Sequence, residues 1–395
     1  MRILPGLLCL SALLVGLAPA QDHQEPKLPG GKTIATVTSP DFLRATTELK
    51  PDTKIAKVAP TVDFAFYPGQ DYPGNPWSNW GDGLAVGNKF YSSIGDHKSP
   101  GGNAYVYEYD ADKKTLHRVV DLRKTLNLPD GIYTPGKIHS RLDLGKDGWL
   151  YFSTHRGSTR VAFNPAFKFG GDWILRYHPE SGKTEVVAHA PLEMQSMPTG
   201  LLDPDRLIWY AGTADGLNKK GPQFLAYDVK NKKKLYSDDY GPYRYLIFAK
   251  STGKVYFHGK PSAAGKAKGP AQLVRFDPEK PGEPQPIDAT VGLRSATLET
   301  PQGIVYTVDG DNLWAFNTKT EKAEFLGPCV AGSQNYIASI DADPKTGRYL
   351  YFVAGAHGGS QADGTPLVQY DVKTKTRKVI CFLHPVLHEK FGYVP

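Results

Sequence analysis

Cysteine and methionine are scarce in this chain, at three each in 395 residues. Long apolar runs are missing beyond the N-terminus, and charged residues reach only 22 %. Few methionines beside many Tyr, Val and Thr favour strands over helices. Cys9 lies in the N-terminal apolar run, which leaves Cys329 and Cys381. In an oxidising compartment they read either as one disulfide or as two unrelated buried thiols. No segment beyond the N-terminus approaches transmembrane length. An apolar share of 40 %, with 17 Phe, 22 Tyr and 6 Trp, excludes a disordered, collagen-like or coiled-coil chain.

Glycine and proline are abundant, at 41 and 32 residues, so turns are frequent. Met1-Arg2, the apolar run Ile3 to Leu17 and the small-residue end Ala18-Pro19-Ala20 read as a secretory signal peptide over residues 1–20. The run is short for a retained membrane anchor. Residues 21–32 are polar and Pro/Gly-rich, a flexible lead-in, and residues 33–395 are read as a single domain. The expected location is secreted or periplasmic. A net charge of +7 suits anionic partners. The clusters Lys232 to Lys234 and Lys373 to Lys378 look like solvated hairpin tips. Nothing resembles a nucleic-acid module, and once the signal is removed no membrane partner is expected.

One hairpin type recurs along the chain: an apolar strand ending in an aromatic residue, a Lys/Thr/Gly turn, and a second strand. Examples are AYVYEYDADKKTLHRVVDL from Ala104, QFLAYDVKNKKKLYS from Gln223 and PLVQYDVKTKTRKVICFL from Pro366. Each copy follows a second kind of hairpin with Tyr or Trp at the centre of its return strand, such as KIHSRLDLGKDGWLYFSTH. The pair repeats six times between Trp77 and Leu383. Four antiparallel strands per repeat of about 50 residues mark an all-β chain folded as a β-propeller. Six four-stranded blades are countable. Further strand-like pieces, Thr33 to Val37, Lys54 to Val58 and Val62 to Tyr67, would close the ring or supply much of a seventh.

In a propeller the first strand of each blade lines the channel, and its start shares a rim with the end of the second strand. Counting back twelve residues from Tyr91, Tyr151, Trp209, Tyr256 and Tyr306 reaches Asn79, His139, Met197, Arg244 and Arg294, with Asn335 and Tyr336 as the sixth equivalents. Counting forward four reaches Gly95, His155, Thr213, Lys260 and Gly310, with His97 close by. These positions describe a cationic pocket with acid/base capacity. The bland reading is that polar residues at strand ends simply face solvent.

Two imidazoles and guanidinium groups fit β-elimination of a uronic-acid glycan. An arginine neutralises the carboxylate, a histidine takes the neighbouring proton, and a tyrosine or second histidine protonates the leaving oxygen. GKIHSRLDLGKDGWLYFSTH, followed later by YRYLIF, resembles the secreted propeller lyases that act on ulvan or oligogalacturonate. The resemblance is mostly architectural, and those lyases usually have seven blades. It implies catalytic roles for His139 and His155, with Arg244 as carboxylate partner and Tyr243 as the local candidate for the catalytic tyrosine. Asn79, Arg294, Lys260 and His97 are the expected substrate-binding residues, and the expected partner is an anionic polysaccharide or oligosaccharide. Two alternatives stay open. One is a metal-dependent hydrolase resembling gluconolactonases, with Asn79, Asp96, Asp309 and Asn335 as oxygen ligands. The other is a non-catalytic propeller that binds a glycan or a protein. No cofactor is fixed by the sequence; a divalent metal is open, Ca on oxygen ligands or Zn or Mn on the imidazoles of His97, His139, His155 and His357.

Overall fold

The computed structural model describes residues 32–67, 79, 81–97, 102–157, 164–214, 222–242, 244–260, 269–355 and 359–393. Residues 1–20, expected as a signal peptide, nearly all of the expected lead-in, Tyr243 and His357 lie outside these.

Six small antiparallel sheets follow one another along the chain as the blades of a six-bladed propeller. Blade 1 contains Leu84–Val86, Lys89–Gly95, Ala104–Asp110 and Thr115–Asp121. Blade 2 has an inner edge split into Lys137–Ile138 and Asp143–Leu144, then Leu150–His155, Trp173–His178 and Lys183–His189. Blade 3 runs through Ser196–Asp203, Ile208–Ala214, Phe224–Asp228 and Lys233–Asp238. Blade 4 is Ile247–Ala249, Lys254–His258, Ala271–Phe276 and Gln285–Val291. Blade 5 is Ser295–Ala296, Ile304–Asp309, Asn312–Asn317 and Lys322–Pro328. Blade 6 is Ile337–Ala342, Tyr349–Ala354, Pro366–Asp371 and Thr376–Phe382.

The packing follows from the pattern of the repeat. A four-stranded sheet is apolar on both faces and must be covered by its neighbours. Separate hydrophobic clusters accordingly join blades 1 and 2, 2 and 3, 3 and 4, 4 and 5, and 5 and 6. The central aromatics of the second strands fill these seams. Tyr91, Tyr151, Trp209 and Tyr256 are all essentially inaccessible, and Tyr256 packs edge-on against Phe316 of the next blade at 4.9 Å.

The last seam is built differently, and no seventh blade forms from the N-terminal strands. Ile34–Thr38 pairs with Thr61–Ala65 as a two-stranded ribbon. On one side Val37 and Phe64 pack with Cys381 of blade 6 and with Val386 and Leu387 of the C-terminal helix Leu383–Phe391. On the other, Ile34 and Tyr67 pack against Ile94, Tyr105 and Tyr107 of blade 1. The ribbon therefore joins the first blade to the sixth, and Lys54–Ile55 adds in parallel to the outer strand of blade 6. Cys329 and Cys381 are both free and buried, in different hydrophobic clusters, so the buried-thiol reading holds and the disulfide does not form.

Candidate functional site

The inner edge of blade 2 is where the repeat is broken. Ser140 takes over the ladder: its hydroxyl accepts the Ser153 N–H at 2.9 Å and lies 3.2 Å from the Ser153 carbonyl. The backbone around it turns to the neighbouring blades instead. Arg141 N–H donates to Gly200 O at 3.1 Å, and Leu142 N–H to Asp82 O at 3.2 Å. Gly81 permits this approach, since a Cβ there would collide with the Ser140 carbonyl. The result presents His139 and Arg141 to the channel.

His139 lines an open cleft together with Asp82, Arg141, Arg244, Tyr245 and Arg294. Three of the sequence-derived positions, from blade 2 and the entries to blades 4 and 5, thus share one opening. His155 stands beside His139, with ring centroids 6.0 Å apart. Its Nδ1 accepts the Gly157 N–H at 2.9 Å, which places the proton of the neutral ring on Nε2. His97 lies near His155 and bears on it electrostatically, and its backbone N–H donates to Gly136 O at 3.0 Å; neither His97 nor His155 is among the residues that line the cleft.

Burial is the main force on both imidazoles. With the charges of Lys137 and Arg294 it pushes His139 down to about 3. With Lys137, His139 and Arg156 it holds His155 well below the ordinary histidine range. Both rings are therefore neutral at physiological pH. Arg294 is fixed by Tyr336, whose hydroxyl accepts from Nε at 2.9 Å and from Nη2 at 2.5 Å. A neutral phenol leaves the guanidinium its full charge for an anionic ligand.

Deeper in the channel the charges are matched. Arg141 meets Asp143 at 3.3 Å and Asp82 at 4.0 Å. Burial works against its charge, but Asp143, Tyr245, Asp82 and Asp341 outweigh it and hold the proton more firmly. The Tyr245 hydroxyl donates to Asp82 at 2.5 Å, and burial followed by the Asp82 charge raises its pKa well above that of a free phenol. Asp82, Arg141 and Tyr245 are thus tied to one another where they line the cleft.

Other expected residues fall elsewhere. Asn79 is exposed, and its side chain hydrogen-bonds Tyr67. Lys260 is exposed after the second strand of blade 4. Neither lines the cleft, and nor do Asp96, Asp309 or Asn335. The Asp96 carboxylate accepts the Asn103 N–H at 2.7 Å and so staples the connection between two blade 1 strands. Among the described residues no group of three or more His, Cys, Asp or Glu is placed to hold a metal ion.

Sequence reasoning missed Lys137, Arg141 and Asp82. The signal for the first two was present: Lys137, His139 and Arg141 alternate along one segment, the spacing that turns side chains to one side of an extended chain. Counting one position per blade passed over that alternation.

The chain matches no protein-family model and no curated protein sequence. Solved structures that it resembles include the β-propeller domain of the Trilobed protease from Pyrococcus furiosus, at 11 % identity and a TM-score of 0.46, covering 76 % of this chain and 84 % of that one. The Niastella koreensis GH74 enzyme is similar at 11 % identity and 0.46, covering 75 % of this chain and 45 % of that one. The Pyrococcus horikoshii acylaminoacyl peptidase is similar at 8 % identity and 0.46, with the same coverages of 75 % and 45 %. The chain therefore spans less than half of the latter two. The six-bladed architecture rests on its own sheets.

Proposed function

We propose that this propeller is an exported enzyme that cleaves an anionic, uronic-acid-containing glycan by β-elimination. The observation that carries the reading is the convergence of Arg244, Arg294 and His139 on one cleft, with His155 beside it. Two guanidinium groups suit a sugar carboxylate, and their charge favours the enolate-like anion that forms when the neighbouring proton leaves. Blade 2 supplies nitrogen bases at the same rim. Tyr245, protonated at neutral pH, lines the cleft and is a candidate proton donor beside Tyr243, which lies outside the described residues. The N-terminal signal-like segment and the net charge of +7 suit an extracellular polyanion.

The test is a panel of polyuronates, including ulvan and polygalacturonate, followed by the ultraviolet absorbance of the unsaturated uronate product. One member of the panel should yield product. Arg244→Ala and Arg294→Ala should each lower kcat/KM by about a hundredfold without changing the unfolding midpoint. Binding with no product would favour a glycan-binding propeller and reject the enzyme.

A further inference from the structure

The C-terminal helix carries two histidines one turn apart. Leu383–Phe391 reads LHPVLHEKF, a spacing that puts His384 and His388 on one face. Their ring centroids lie 5.4 Å apart, with an interplanar angle of 39°. His388 is exposed and His384 half-buried. The His384 Nδ1 is buried, and among the described residues no hydrogen-bond partner reaches it. A buried polar atom of that kind marks the place of a water or an ion. The helix under the pair is held at both ends. The His384 N–H donates to Gly364 O at 3.1 Å, and Pro385 sits in the first turn, where its missing N–H costs nothing. Gly392, at φ 68°, closes the last turn by donating to His388 O. Val386 and Leu387 bury against Val37 and Phe64 of the ribbon and Cys381 of blade 6, and Glu389 pairs with Arg44 at 3.0 Å.

We infer that His384 and His388 form a chelating site for Zn²⁺ on the helix that closes the ring. The site is separate from the cleft and does not rest on the elimination reading. Two imidazoles that share a tetrahedral zinc, at Zn–N distances of about 2.1 Å, have ring centres about 5.2 Å apart. The helical pair meets that condition as it stands. His139 and His155 are further apart, at 6.0 Å, and the His155 Nδ1 is already taken by the Gly157 N–H. Imidazole nitrogen suits zinc, and two histidines at this spacing are the pair that helical zinc motifs use. HPVLH carries no glutamate between them, so the base of a zinc hydrolase is lacking and the site binds without hydrolysing. Water completes the four-coordinate shell. The helix is formed before the metal arrives, so little order is lost in bringing the ligands together. The unfolded chain does not hold that geometry, and zinc therefore favours the folded helix. Because this helix packs the ribbon onto blade 6, the metal braces the closure between the last blade and the first.

The test uses the full chain without a histidine tag. Calorimetric titration with Zn²⁺ should show a saturable site in the wild type. His388→Gln should weaken zinc affinity by at least about tenfold, since removing a ligand costs no less than removing a group that merely orients one. His384→Gln should do the same. His388 is exposed, so His388→Gln should unfold at the wild-type midpoint when a chelator is present. Zinc should raise the thermal midpoint of the wild type and leave that of His388→Gln unchanged. Wild-type affinity retained in both variants overturns the site, and so does a wild type that binds no zinc. Zinc that binds through the pair without moving the wild-type midpoint overturns the bracing of the ring closure.

Discussion

Arg141 and Arg294 both project into the same channel, and they differ in what faces them. Arg141 is 9 % exposed and is surrounded by carboxylates and a phenol that accept from it or balance it. Arg294 is half-buried and is held by the Tyr336 hydroxyl, a neutral group. One guanidinium is matched by the carboxylates beside it. The other is positioned, with its charge still available to an anionic ligand. The two halves of the channel thus use one residue type for opposite purposes, and a charge census alone could not tell them apart.

The largest expected effect comes from breaking the matched half. Arg141→Met should destabilise the protein by about 3–5 kcal/mol, because Asp82 and Asp143 would stay buried without their cation. Denaturant unfolding measures this. A loss no greater than that of an exposed arginine would mean that the Arg141 cluster is solvated, and the contrast between the halves would collapse.

How far the contrast was legible in the sequence depends on the kind of regularity involved. The alternation of two hairpin types gave six blades, and the aromatic at the centre of each second strand lands in a seam, as Tyr151 and Trp209 illustrate. Counting residues within the repeat also brought His139, Arg244 and Arg294 to one opening. It failed for Asn79 and Lys260 because a count fixes register along a hairpin but not where a strand-end side chain turns. The ribbon closure was hidden because Ile34–Thr38 and Thr61–Ala65 carry an ordinary strand pattern, and only their partners in blades 1 and 6 reveal a bridge. The burial of Lys137 was hidden for a similar reason. It depends on Gly95, which is remote in sequence and matters only once two blades meet.

An intermediate effect concerns the surplus half and acid. His139 is held down at about 3, against 6.5 for a free imidazole. Between those values the unfolded chain binds a proton that the native ring refuses, so stability is full above pH 6.5 and falls as pH drops toward 3. By about pH 5 the loss should be on the order of 2 kcal/mol from this residue. His139→Gln should remove that share of the slope, so variant and wild type should converge or cross on acidification. Unfolding midpoints measured from neutral to mildly acidic pH check this. Parallel curves would mean that His139 is protonated in the native cleft.

The smallest effect tests how the surplus charge is aimed. Tyr336→Phe removes a hydroxyl that accepts two hydrogen bonds from Arg294, but leaves the ring, whose face lies 4.6 Å from the guanidinium carbon. Stability should change by no more than about 1 kcal/mol, since Arg294 can turn to water at the cleft mouth. Binding should suffer more than folding. A guanidinium free to swing loses order before it meets a carboxylate, so KM for the responsive polyuronate should rise by about five- to tenfold while kcat changes little. Tyr336→Leu, which also removes the aromatic face, should raise KM further. If both variants bind as the wild type does, Tyr336 plays no part in aiming Arg294, and the arginine of the open half is oriented by the ligand itself.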